Sequence, residues 1–482
     1  MFTRWYDAGW LLCVVVASCS LETRYAQTAS NPAAAGSGAP IAPPVGACPA
    51  SLAERLSVTH VDVDTDIRYR VPRYDGYPID ERIALAVARD GRAYVAWMDS
   101  SSQVRVTPLD ASLARREPDI AVRGVDFGGI VAHEDGFALL TRREDPGEPL
   151  IDPNASSPGP ARAAFLVRYR DRTQEFAVPL TGTASITAPT DPGARDCSSR
   201  SLNVGKLAWN GVRYGAYFQV HGCAGDPHQG EYADKLVYAD TRGRLALGGR
   251  TWICSVSLGI RLLAEPGPFT SVCLSDRLPS PGLNLVTDGV PPRQLSAEYT
   301  SPSYVSAGFG SIAKIPADGS YALGWLSRGI ATVDGSFAAA KPAYDIALLR
   351  LSADYEIIGR KKWLVETPDV AELNLHLAAY GRDRLLAAWE RIENPRCGER
   401  VCYGPYSGTV ARLLDLDGNP LSADESLLAP PNAIEDLVTF PNGDLGWAFV
   451  EDENRSYESS LIGAPPLPAK RQLSIARFRV CE

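Results

Sequence analysis

From about residue 56 onward the chain runs as short stretches in which apolar and polar residues alternate, separated by Gly, Asp and Asn. Side chains of an extended strand point alternately to its two faces, so the pattern predicts antiparallel strands joined by tight turns. Helical periodicity is nearly absent. The stretches recur as a unit. A short apolar strand leads into Gly or Asp-Gly, then comes an aromatic-rich strand often ending in Trp and an acid, then an insertion of variable length, then an alternating strand that closes on an Asp- or Gly-containing turn. The clearest copy is "IALAVARDGRAYVAWMDSSSQVRVTPLDASL", from residue 83. Others are "SIAKIPADGSYALGWLS" with "YDIALLRLSADYEI", and "DLVTFPNGDLGWAFVED" with "QLSIARFRVCE".

Units of roughly 45 to 65 residues with about four strands each predict the blades of an all-β propeller rather than the coils of a solenoid. Seven units are expected, starting near residues 83, 128, 204, 260, 310, 373 and 433. The fourth, around "IRLLAEPGPFTSVCLSD", has the least regular pattern, and a six-blade ring with an irregular insertion is the alternative. The repeat is similar to the degenerate β-propeller repeats of secreted bacterial proteins over residues 56–482. The Asp-box, kelch Gly pair, WD40 dipeptide and quinoprotein motif are all missing. The resemblance therefore implies an architecture and carries no activity with it.

The last unit ends at its third strand, "LSIARFRVCE", and an open blade edge invites aggregation. The segment "HVDVDTDIRYRV", residues 60–71, offers the missing strand. Val61, Val63, Ile67, Tyr69 and Val71 alternate with His60, Asp62, Asp64, Asp66, Arg68 and Arg70, one face for packing and one for water. The ring is thus expected to close by an N-terminal strand that completes the last blade. Cys481 then lies near Cys48, and a disulfide between them would stabilise by about 5 kcal/mol in the chain-entropy description.

The N-terminus points to a compartment. "AGWLLCVVVAS", residues 8–18, is too short to span a bilayer and suits a signal-peptide core. It resembles a bacterial lipobox, with Val16, Ala17 and Ser18 before Cys19; the pattern prefers Leu where Val16 stands. The resemblance implies cleavage at 18, lipidation of Cys19 and, with Ser20 following, an outer-membrane lipoprotein, periplasmic or surface-exposed. A Pro-, Ala- and Gly-rich tether follows, "TASNPAAAGSGAPIAPPVGA". The expected organisation is signal peptide 1–18, lipidated Cys and linker 19–55, and propeller 56–482. No later run approaches the length of a membrane-spanning helix.

A net charge of -9, with the 48 basic residues scattered, lacks the basic stripe that phosphate neutralisation requires, which excludes nucleic acid as the expected partner. Of the 10 cysteines, removal of Cys13 and lipidation of Cys19 leave Cys48, Cys197, Cys223, Cys254, Cys273, Cys397, Cys402 and Cys481. An even count in an exported chain suggests four disulfides. Besides 48 with 481, the expected pairs are 397 with 402, 254 with 273 and 197 with 223. No CxxC occurs, which argues against a zinc cluster.

Candidate chemistry is sparse. Asp62, Asp64 and Asp66 suggest a calcium ligand set, but on a strand their backbones stand about 6.5 to 7 Å apart and no Gly curls the chain. "DLDGN", from Asp415, has the better loop shape through Gly418, although Asp-Gly is first of all a hairpin turn. No metal or other cofactor is expected. The segment "HGCAGDPHQGEYADK" groups His221, Asp226, His228, Glu231 and Asp234, an acid–base assortment or a polar insertion stapled by Cys223. No G-x-S-x-G is present. Glu144, Asp145, Glu390, Glu451 and Asp452 end or follow second strands, where a glycosidase would carry carboxylates.

The insertions say more. They fall repeatedly between second and third strands, at residues 142–162, 219–233, 327–343, 391–407 and 451–470, and in a propeller these connections share one face. Expected ligand-facing residues in or beside these insertions are Arg142, Arg143, His221, His228, Trp389, Tyr403, Tyr406 and Tyr457. The leading expectation is a monomeric binding or scaffold propeller, tethered by lipid to the envelope, that recognises a protein or glycan. A carbohydrate-active enzyme (glycoside hydrolase or lyase) with carboxylates at the channel mouth is the second reading, and a purely structural envelope protein the third. No catalytic signature supports the enzyme.

Overall fold

Seven sheets follow one another along the chain, each built around four antiparallel strands taken in chain order, with a separate hairpin inserted in blades 5 and 6 and the N-terminal strand joining the last. The computed structural model describes residues 48–68, 82–144, 162–181, 188–189, 196–199, 202–222, 232–255, 259–276, 279–301, 304–305, 307–333, 336–398, 402–451 and 469–481. Blade 1 comprises Ala84–Val87, Ala93–Met98, Val104–Leu109 and Ile120–Val122. Blade 2 comprises Asp126–His133, Gly136–Glu144, Arg162–Arg170 and Thr173–Pro179. Blade 3 has Lys206–Trp209, Arg213–Gly222, Tyr232–Asp240 and Leu245–Ser255, and blade 4 has Gly259–Leu263, Thr270–Ser275, Gly282–Leu285 and Arg293–Ser296. Blade 5 has Ala307–Lys314, Tyr321–Ser327, Asp345–Leu351 and Ile357–Val365, and blade 6 has Val370–Tyr380, Arg384–Glu393, Tyr406–Asp415 and Glu425–Leu427. In blade 7, Val438–Thr439, Leu445–Phe449 and Lys470–Phe478 are completed by the N-terminal strand Leu56–Ile67.

The chain is therefore an all-β, seven-bladed propeller closed by its own N-terminus, as the repeat pattern predicts. The expected blade starts hold closely; the largest offset is in blade 7, expected near 433 and observed at Val438. Blade 3 departs from the four-strand plan. The long connector ahead of it adds Ala188–Pro189 beside the outer strand and Asp196–Ser199 beside Arg213–Gly222.

Blade packing explains the composition of the strands. Each of seven large apolar clusters bridges one pair of neighbouring blades, and together they run round the ring. A blade buried on both sides needs apolar residues on both faces, so second strands such as "AYVAWM" are buried throughout. Trp97, Trp325, Trp389 and Trp447 occupy the second strands of blades 1, 5, 6 and 7 and are among the largest fully buried side chains. The Trp97 indole N–H donates to Thr107 Oγ1 (3.0 Å), and that of Trp325 to Glu298 Oε1 (2.8 Å), so neither polar edge is stranded. Three blades repeat a further device: Arg168, Arg350 and Arg477 on third strands pair with Asp135, Asp318 and Asp444 in the turn between first and second strands.

The closing strand pairs in register from Leu56 opposite Phe478 to Asp62 opposite Gln472. Val61, Val63 and Ile67 are buried against blade 1, as the alternation requires. The three aspartates serve separate partners. Asp64 pairs with Arg115 (2.5 Å), whose hydrogen bond holds its carboxyl below the usual range. Asp66 pairs with Arg471 (2.5 Å), and Asp62 accepts from Gln472 (3.2 Å). The balancing cations thus come from neighbouring strands, while Arg68 turns to Ser102. Tyr69, Arg70 and Val71 lie outside the described residues. "DLDGN" forms a hairpin turn: Gly418 has φ 79° and its N–H donates to Asp415 O (3.0 Å).

Both chain ends are fastened to blade 6. A Cys48–Cys481 disulfide joins them, and the compact unit starts at Cys48, ahead of the expected boundary at 56. Glu425 accepts hydrogen bonds from Ser51 Oγ (2.5 Å) and the Leu52 and Ala53 N–H groups (2.8 and 3.3 Å). The Tyr380 hydroxyl accepts from Arg55 Nη1 (2.7 Å) and the Cys481 N–H (2.8 Å). Disulfides also join Cys254 to Cys273 and Cys397 to Cys402. The 197–223 pairing and the expected roles of Asp226, His228, Glu231, Tyr457, Asp145 and Asp452 fall outside the described residues, as do residues 1–47.

Candidate functional site

In a four-stranded antiparallel blade, the connection from second to third strand and the crossover to the next blade leave from the same end. All five expected insertions emerge there, after Glu144, Gly222, Ser327, Glu393 and Phe449. Two carry hairpins of their own: Ile330–Val333 with Ser336–Ala339 in blade 5, and Arg396–Cys397 with Cys402–Tyr403 in blade 6. The crossover from blade 4 to blade 5 adds a third, Tyr299–Ser301 with Tyr304–Val305, which packs on the blade 5 hairpin. Arg328 of blade 5 donates to the Gly398 carbonyl of blade 6 (2.7 Å). The insertions of blades 5 and 6 and the hairpin before blade 5 therefore form one built surface.

At the centre of this face five blades converge on the connector that leads into blade 7. Lys206, the first residue of the innermost strand of blade 3, pairs with Asp436 (3.0 Å) and donates to the Ile434 carbonyl (2.6 Å). Arg261, on the innermost strand of blade 4, pairs with the other oxygen of Asp436 (2.8 Å). Arg82, just ahead of blade 1, pairs with Glu435 (2.5 Å) and donates to the Leu202 and Gly205 carbonyls (3.2 and 2.8 Å). Ser311 of blade 5 donates to Asp436 (3.3 Å), and His376 of blade 6 lies in the field of Arg261, Asp436 and Lys206.

Burial sets the electrostatics. The Arg82, Lys206 and Arg261 side chains are 2, 7 and 5% exposed, whereas Asp436 keeps 33%, so the cluster borders solvent on its acidic side. Burial pushes the Asp436 carboxyl up, but the charges of Lys206 and Arg261 and the Lys206 hydrogen bond outweigh it and hold it at about 2. Burial, joined by the charges of Arg261 and Lys206 and only partly opposed by Asp436, drives His376 down to about 3, which keeps the imidazole neutral. Burial also lowers Arg82 and Lys206, partly offset by Glu435 and Asp436. Such a mouth can hold and orient an anionic group. Its acid is a permanent carboxylate, unsuited to delivering a proton near neutral pH.

A second cluster lies in blade 6. Glu372 is fully buried against Arg391 (3.2 Å), which also reaches Asp424 (2.6 Å), and Arg412 joins Asp424 (2.5 Å). Both guanidinium groups stand over the Trp389 ring, at 5.5 and 5.4 Å. Burial pushes Glu372 up to about 7 despite the Arg391 charge.

The residues expected to face a ligand are dispersed. Arg142 pairs with Asp126 (2.6 Å), and Arg143 is buried over Phe165 with its Nε donating to the Arg123 carbonyl. His221 is buried and stacked on Tyr232 at 4.1 Å. Trp389 is 1% exposed, in the interface of blades 5 and 6. Tyr403 and Tyr406 are half-buried on the insertion face, the latter bonded to Thr409 (2.7 Å). Among the carboxylates, Glu390 is buried and accepts from Asn374 Nδ2 (2.9 Å), and Glu451 approaches His60 (3.7 Å). The central cluster was missed because each member reads alone as an ordinary charge. The signal was there: "RIALAV", "GKLAW", "GIRLL" and "LNLHL" each set a basic residue at or inside the innermost strand, the position most enclosed in a ring.

No protein-family description matches the chain, and no curated protein matches it. Solved structures that resemble it include a protein of unknown function from Dyadobacter fermentans (12% identity, TM-score 0.39, 74% of this chain and 98% of that one). Hydrazine synthase from Kuenenia stuttgartiensis is another (10% identity, TM-score 0.39, 79% and 93%). The β-propeller domain of Cps50 (Swd1) from Myceliophteria thermophila is a third (12% identity, TM-score 0.33, 69% and 94%).

Proposed function

We propose that this chain is a binding propeller of the bacterial envelope, tethered through lipidated Cys19, that recognises a protein or glycan with its insertion face. The observation that carries the reading is the mutual packing of the insertions of blades 5 and 6 and the crossover hairpin ahead of blade 5. Drifting loops have no reason to lock together, whereas the Tyr299–Ser301 hairpin packs on Ser336–Ala339 and Arg328 bonds to Gly398. Binding residues are concentrated on loops held by a rigid scaffold. The anchor rests on "VASC" and the tether that follows it.

The carbohydrate-active enzyme is the weaker reading. It calls for paired carboxylates at the mouth with one held protonated. Asp436 is instead held at about 2, and the acid raised to about 7, Glu372, is fully buried in an ion-paired network.

The test is crosslinking and affinity capture from intact envelopes with the full-length protein and with Arg328→Ala, beside a glycan-binding screen. A partner or glycan retained by the wild type and lost when the face is loosened supports the reading. Capture unaffected by that change, together with hydrolysis of a glycan in the screen, would replace it with the enzyme. A Cys19→Ala variant that stays with membranes would remove the anchor from the reading.

A further inference from the structure

We propose that the central mouth of the insertion face is an oxyanion site, in which Lys206, Arg261 and Arg82 receive a carboxylate or phosphate group from the ligand. The inference rests on the binding reading and names the chemistry taken at its centre. Three observations converge on it. First, charge: among the described residues, three buried cations of the cluster face two acids, Glu435 and Asp436, and Asp436 is shared between Lys206 and Arg261. Cations withdrawn from water require compensation, and one positive charge is left over.

Second, donors. Lys206 has three N–H groups, of which one meets Asp436 and one the Ile434 carbonyl among the described residues. Arg261 has five, and among the described residues it meets Asp436 and the Ile260 carbonyl. Donor capacity remains on both, and a guanidinium fork suits an oxyanion. Third, access: Asp436 is 33% exposed, so the cluster opens toward solvent beside the acid, where a compensating group can arrive from outside.

The experiment is calorimetric titration of the purified full-length protein, in non-ionic detergent, with inorganic phosphate, with glucuronate and with glucose as the uncharged control. Saturable binding of phosphate, glucuronate or both, with none of glucose, is expected; which of the two binds identifies the phosphoryl or the sugar-acid source. Lys206→Gln or Arg261→Gln should weaken that binding at least about tenfold, equivalent to about 1.4 kcal/mol. Asp436→Asn should strengthen it, because it removes the competing carboxylate and keeps both cations. Opposite shifts at neighbouring positions are something a merely structural cluster does not produce. Near-UV circular dichroism establishes folding of each variant, and Arg261→Gln serves if Lys206→Gln fails to fold. No saturable binding of either anion at millimolar concentration, or equal binding by all variants, overturns the inference. Envelope capture through the loop face would survive that result, and loss of capture with anion binding intact would sink only the loop reading.

Discussion

Cys48 and Cys481 are joined across 433 residues with their Cα atoms 5.9 Å apart, so one covalent bond holds the two ends of the ring. The Tyr380 hydroxyl receives a hydrogen bond from each end, through Arg55 and through Cys481. Replacing both cysteines with serine should lower unfolding stability by at most about 5 kcal/mol. Tyr380→Phe should cost about 1 kcal/mol for each bond lost. Denaturant midpoints measure both, and an unchanged midpoint in the serine variant would mean that strand pairing alone closes the ring.

The latch should also loosen in acid through Glu425. Burial raises its carboxyl, but hydrogen bonds from Ser51, Leu52 and Ala53 and the charge of Arg55 more than offset this and leave it lowered. A depressed folded-state value means that the contribution is present above the unfolded value and lost as pH falls through the folded one. Protection of the Leu52 and Ala53 amides against hydrogen exchange, relative to the intrinsic rate at each pH, should fall below about pH 4.3. Glu425→Gln should show faster exchange there at neutral pH.

Glu372 works in the opposite sense. Its folded value of about 7 lies above the unfolded one, so its own contribution to stability is full below the unfolded value and is lost as pH rises toward 7. Glu372→Gln removes the titrating proton, and Arg391 keeps Asp424 as its partner. Melting temperatures of the variant and wild type should agree near pH 4 and diverge in favour of the variant by pH 8. Parallel curves would contradict the assignment.

His376 gives a third signature. The unfolded ring takes up a proton below its ordinary value, whereas the folded ring stays neutral down to about 3. The unfolded state therefore binds more protons across that window, so stability rises as pH increases through it, by up to about 1.4 kcal/mol per unit, and is lost as pH falls. His376→Leu should flatten the slope between about pH 3.5 and 6, read from urea midpoints. The same slope in both proteins would show that other groups set it.

Much of the fold could be read from short-range pattern. Alternation in "HVDVDTDI" fixes which side of the closing strand is buried, and Asp-Gly turns mark where strands reverse. The alternating N-terminal strand pairs with Lys470–Phe478 and supplies the fourth strand of the last blade. Ring closure then brought the terminal cysteines together. Blade 3 was less legible because its added strands come from a connector, where two-residue pairings such as Ala188–Pro189 leave no alternation to detect.

The candidate site was barely legible, for a physical reason. Alternation is a property of neighbours and survives in any window of a few residues, so the sequence by itself determined strands, turns and the closing latch, whereas the choice of seven blades over six came with the structure. Lys206 and Asp436 are 3.0 Å apart but belong to blade 3 and to the connector into blade 7. Nothing in either local stretch encodes the other. Only closure of the ring, which directs the innermost strands toward a common axis, decided that Arg82, Lys206, Arg261 and His376 would meet one connector. Burial there turned ordinary charges into a coupled cluster, and that environment belongs to the tertiary structure alone.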